Sequence, residues 1–210
     1  MGCATSRRTM SAAMKKTFLI AMLLAPSLAS AQDPAQVRRL YEAGQYQQVV
    51  ETAGDAQAPD VIYTTAQSYQ KLGAVEQARE NYGELVVLPE DDAWHFIGLS
   101  AQLLLDDNTE AALDSAREAV SRAGGLPEAH YQLGLVLAKR EDWRGAADAF
   151  DRASDLNPAL AYAHYYGGLM QYRAGRPDRM ANHFEQFLKL APEAPERPEV
   201  LQIMRTVRGR

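Results

Sequence analysis

The side chains best suited to chemistry in this 210-residue chain are four histidines, two tryptophans and one cysteine. His130 and His164 lie 34 residues apart. On neighbouring helices about 10 Å apart they would approach one another, and with His95 as a third ligand they could offer imidazole nitrogens to a metal ion. The competing reading makes them large amphipathic rings at equivalent packing positions. We adopt that reading and assign no metal ligand. His183 directly precedes Phe184 and is expected at the surface, and Trp143 is expected to pack locally. The sequence contains no His-Glu-x-x-His, phosphate-binding loop, dinucleotide glycine motif or Gly-x-Ser-x-Gly. No catalytic residue and no cofactor are assigned, and the chain is read as not an enzyme.

Composition narrows the alternatives. Hydrophobic residues make up 47% and charged residues 23%, as in an ordinary globular protein. The net charge of −5 argues against nucleic-acid binding, which needs clustered Lys and Arg. Residues 1–31 read as a secretory signal peptide with an upstream extension. Lys15 and Lys16 precede the apolar run TFLIAMLLAPSLASA, and Ala29 and Ala31 occupy the small positions before a cut at Gln32. Cleavage removes Arg7, Arg8, Lys15 and Lys16 and no acid, leaving 18 basic against 27 acidic residues, a net of −9. It also removes Cys3, the sole cysteine, so thiol chemistry and disulfides are excluded from the mature chain. An exported, periplasmic protein of a bacterial envelope is expected, with no stable membrane insertion after cleavage.

Beyond residue 58 the chain repeats itself every 34 residues. Ala146 aligns with Ala112 and Ala78. Phe150 aligns with Phe184, Ala116 and Tyr82, and Ala153 with Phe187, Ala119 and Leu85. Leu133-Gly134 aligns with Gly167-Gly168, Leu99-Ser100 and Thr65-Ala66, and Pro158 with Pro192. Each copy carries two apolar stripes at helical spacing. A turn marked by Gly73, Asp106-Asp107, Glu141-Asp142 or Gly175 separates them. Such a pair cannot bury both of its faces, so copies must stack.

The stretch from Pro127 to Pro158 resembles the tetratricopeptide repeat. The family places a large residue at repeat position 4, Leu-Gly at 7 and 8, a large residue at 11, Ala at 20, an aromatic at 24, Ala at 27 and Pro at 32. His130, Leu133, Gly134, Leu137, Ala146, Phe150, Ala153 and Pro158 occupy these places, with His130 and Leu137 departing from the commonest types. The resemblance implies an all-α, right-handed superhelix of stacked antiparallel helix pairs with a C-terminal capping helix. The expected divisions are a degenerate N-terminal pair over 32–58, four repeats over 59–192 (59–92, 93–126, 127–160 and 161–192) and the capping helix over 193–210.

The resemblance also implies a concave groove lined by the first helix of each pair. Its expected lining is Tyr63 and Gln67, then Trp94, Ile97 and Leu104, then Tyr131 and Leu135, then Tyr162, Tyr165, Leu169, Tyr172 and Arg173. The lining is rich in rings, and an exposed apolar patch of this kind marks a binding surface. The Lys/Asn clamp by which family members hold acidic C-termini is missing, since Tyr63 and Gln67 stand at its first two places. An amphipathic helix or apolar peptide of a protein partner is the expected guest. The alternative is a structural, self-associating protein, a homodimer whose groove is filled by its own terminal helix. The competing reading has a neighbouring element, such as the N-terminal pair or a second molecule, covering the rings.

Overall fold

The computed structural model describes residues 33–209, and the expected signal peptide lies outside them. Among the described residues there are eleven helices and no strand. Helices α1 (Pro34–Glu42) and α2 (Tyr46–Ala53) form a short first pair. Four longer pairs follow: α3 (Pro59–Lys71) with α4 (Val75–Val86), α5 (Ala93–Leu105) with α6 (Thr109–Arg122), α7 (Pro127–Lys139) with α8 (Trp143–Leu156), and α9 (Ala161–Arg173) with α10 (Pro177–Leu190). Helix α11 (Arg197–Arg208) ends the chain. Each helix packs on its neighbours in sequence, giving the right-handed solenoid of antiparallel pairs. No helix among the described residues is long and apolar enough to cross a membrane.

Local chemistry sets the boundaries. Proline opens α1, α3, α7 and α10, where its missing N–H costs nothing. Asp33, Asp92 and Asp142 accept hydrogen bonds from the amides of Ala35, Trp94 and Gly145, capping α1, α5 and α8. The turn inside every pair is the same device. Gly44, Gly73, Asp107, Glu141 and Gly175 all have φ between 59° and 74°. The residue after each donates its amide back across the helix end, as Ala74 does to the Tyr69 carbonyl and Asp142 to that of Leu137. This left-handed stop reverses the chain in the fewest residues.

Packing within a pair depends on small residues facing large ones. Phe150 and Phe184 are fully buried, lying over Gly134 and Gly168. A Cβ on Gly134 would lie 2.8 Å from the Phe150 ring, and one on Gly168 2.5 Å from the Phe184 ring. The glycines therefore let the paired helices approach across a ring. The main apolar core runs from Val37 of α1 to Met204 of α11, and a smaller cluster of Ala112, Leu113 and Ala116 of α6 with Val136 of α7 stands apart from it.

Candidate functional site: a concave face closed by the chain's own ends

The first helices of the pairs carry the expected lining, but they do not leave it open. Tyr63, Ile97, Tyr131, Tyr162 and Tyr165 are buried, none more than 7% exposed. Gln67, Trp94, Leu104, Leu135 and Leu169 are partly covered. Only Tyr172 and Arg173 are exposed, and the Arg173 guanidinium stacks 4.5 Å from the Trp143 ring centroid. The open aromatic ladder is corrected accordingly. The rings are the interior of a closed superhelix.

Two segments close it. Helix α1 places Tyr41 against Tyr162, ring centroids 5.0 Å apart, and Glu42 accepts from the Ala161 amide at 3.4 Å. The segment leading into α11 crosses from the other side. Glu196 takes Lys71 Nζ at 2.9 Å on one oxygen and the Tyr162 hydroxyl at 2.8 Å on the other. One helical turn on, Glu199 accepts the Tyr165 hydroxyl at 2.9 Å. The α1–α2 turn touches the same strap, since a Cβ on Gly44 would meet Pro195 at 2.9 Å. The first and last of the described helical segments therefore meet across the concave face. The pocket left between Tyr41, Tyr63, Tyr131 and Tyr162, which Arg38, Asp60 and Glu128 also line, measures about 30 Å³, room for about one water.

Burial sets the electrostatics. Desolvation pushes the hydroxyls of Tyr41, Tyr63 and Tyr131 well above their ordinary range, so they stay neutral. Tyr63 donates to Gln132 Oε1 at 2.7 Å. Gln132 Nε2 lies 3.2 Å from Ser100 Oγ, which donates to the Ala112 carbonyl at 2.9 Å. This relay ties α3, α5, α6 and α7 together inside the core. Desolvation also pushes Glu42 up to about 7, against the backbone hydrogen bond from Ala161 and the charges of Arg38 and Arg39.

The histidines divide. His95, His130 and His164 each place a ring nitrogen 3.0–3.1 Å from the carbonyl of Leu88, Gly124 or Pro158, at the end of the preceding pair. They staple successive copies and do not converge. His183, expected at the surface, is instead half-enclosed. Its Nε2 lies 2.7 Å from Asp151 Oδ1 and its Nδ1 3.3 Å from His164 Nδ1. The signal for it was Gly167, where the other copies carry Leu133, Leu99 or Thr65. A Cβ there would sit 3.0 Å from the His183 ring.

Comparison with known proteins supports the architecture. The tetratricopeptide-repeat family model matches residues 127–160. A search of curated proteins returns no match. The chain is similar to the solved structure of TTC0263, a thermophilic TPR protein in Thermus thermophilus, with 21% identity and a TM-score of 0.59. That match covers 84% of this chain and 97% of that one, and at this identity the likeness is one of fold. A crystal structure of MamA aligns at 22% identity over 70% of this chain and 85% of its own, with a TM-score of 0.48.

Proposed function

We propose that this chain, a tetratricopeptide-repeat solenoid by its repeat at 127–160 and its fold, is a non-enzymatic protein-interaction module, an adaptor or assembly factor of the bacterial cell envelope, that holds a peptide or amphipathic helix of a partner on its concave face. One observation carries the reading. The face already holds a polypeptide segment, its own, through Lys71, Tyr162 and Tyr165. Glu196 and Glu199 stand three residues apart at the head of a helix and present their carboxylates to these groups together. A partner helix with two acids at that spacing would satisfy the same donors. The guest thus replaces the strap and does not enter an empty groove. Export is read from the basic, apolar and small-residue sequence ahead of Gln32.

A second reading follows from the same strap. Exchanged between two copies, it would give a closed, two-fold homodimer. A comparison of the wild-type protein with the Glu196→Ala/Glu199→Ala variant tests both readings, using a photo-crosslinker at Tyr172 in the native envelope and light scattering on the purified protein. The adaptor reading expects a partner captured at higher yield by the variant, from a monomer. The exchange reading expects a wild-type dimer that the variant dissociates. A variant that captures no more than wild type, with both monomeric, would sink both.

A further inference from the structure

The small pocket between α1, α3, α7 and α9 has an aromatic interior and an acidic rim. Tyr41, Tyr63, Tyr131 and Tyr162 are 2–6% exposed. Glu42, Asp60 and Glu128 beside them stay partly exposed, with Arg38 as the single base of the lining. Two of the four hydroxyls are taken, Tyr63 by Gln132 and Tyr162 by Glu196. Those of Tyr41 and Tyr131 make no hydrogen bond among the described residues, and neither is sealed inside the protein. Each therefore opens into the pocket. A polar atom so placed takes its partner from outside. The acids select the partner's charge. Desolvation raises Glu42 and Glu128 above the ordinary carboxylate value, and the charge of Arg38 opposes the rise without cancelling it. The rim is short of positive charge.

Size and donor chemistry narrow the guest. Room for about one water admits the head of an ammonium group and excludes a planar guanidinium. Among the described residues no group of three or more His, Cys, Asp or Glu side chains is arranged to hold a metal ion. An ammonium needs no such shell. It donates three hydrogen bonds and is drawn to the faces of aromatic rings. Here two bare phenol oxygens and a rim carboxylate can accept all three. We propose that this pocket binds an alkylammonium head group, supplied by a lysine side chain of the partner segment. That a partner brings it rests on the function proposed above; recognition of the head group does not. The lysine stem crosses the rim, and its charge replaces the proton on Glu42. Facing that carboxyl are Arg38 and Arg39 on α1, Asp60 on α3, Glu128 on α7, the Ala161 amide on α9 and Glu193 beyond α10. Tyr162 lines the pocket and also donates to Glu196, so the lysine sits next to the place of the guest's carboxylates.

The test is an NMR titration of the wild-type protein with n-butylammonium chloride, set against n-butanol as the uncharged probe of the same length at matched ionic strength. At pH 8 the ring signals of Tyr41 and Tyr131 should shift with n-butylammonium, with a Kd in the millimolar range, and stay still with n-butanol. Affinity should fall about tenfold from pH 8 to pH 6, as Glu42 takes up its proton. Tyr131→Phe keeps the ring and removes the acceptor, and should weaken binding about tenfold, as should Glu128→Gln. Tyr172→Phe should change nothing. No shift with n-butylammonium, or an equal shift with n-butanol, overturns the site, and neither result depends on a variant folding. Unchanged affinity in both Tyr131→Phe and Glu128→Gln overturns it as well. N-acetyl-lysine methylamide carries the same head on a peptide unit and should bind at least as tightly. Weaker binding than n-butylammonium would assign the pocket to a free amine and overturn the lysine. The strap stays in place throughout, so a failure here leaves the partner-capture comparison to stand or fall by itself.

Discussion

At the scale of single residues, the informative positions are polar groups inside an apolar stack. Gln132 is 1% exposed and is the acceptor for Tyr63, 69 positions earlier in the chain. Gln132→Ala leaves that hydroxyl buried without a partner and opens a small cavity. The expected loss is about 2–3 kcal/mol, read as a Tm drop of roughly 5–10 °C. Glu42 gives a pH signature. Its folded pKa of about 7 lies above the ordinary 4.5, so its neutral form is the one the fold favours. The stability it contributes is complete below about 4.5 and disappears as the pH rises to 7, on the order of 3 kcal/mol at most. Glu42→Gln should raise Tm at pH 8 and leave it nearly unchanged at pH 4. Equal shifts at both pH values would refute the assignment. In the sequence, neither Gln132 nor Glu42 stood out. Their roles come from neighbours tens of residues away.

At the scale of elements, the sequence was transparent where the physics is local. The 34-residue period, the small residues facing Phe150 and Phe184, and the turn markers are all short-range. They translate directly into helix pairs. The turns also show a cost the sequence carries. Asp107 and Glu141 hold the left-handed conformation that Gly73 and Gly175 adopt freely in the other pairs. A side chain there costs about 1–2 kcal/mol, and glycine's extra chain entropy returns part of it. Glu141→Gly should therefore stabilise the protein by about 0.5–1 kcal/mol, seen as a higher denaturant midpoint with unchanged slope. Asp107 is the poorer choice, because its carboxylate pairs with Lys139 at 2.7 Å. What the elements could not reveal is what each face meets. Tyr131 and Tyr165 stand at positions that face a groove, and in this chain the groove is filled.

At the scale of the whole molecule, that filling depends on how far the superhelix curls, a property of all the pairs together. No window of sequence shows that Lys71 reaches Glu196, 125 residues away. Hence the lining was legible and its exposure was not. The clasp has a consequence for how the molecule comes apart. A linear array of repeats makes contacts only between neighbours, so it can fray one unit at a time from either end. Here Glu42 on the first pair and Glu196 beyond the last are held to Ala161, Lys71 and Tyr162, so no terminal unit is free to peel away first. Amide protons of α1 should then exchange no faster than those of the middle pairs, and the protein should unfold in a single step, as a ring that must be cut before any of its links is released.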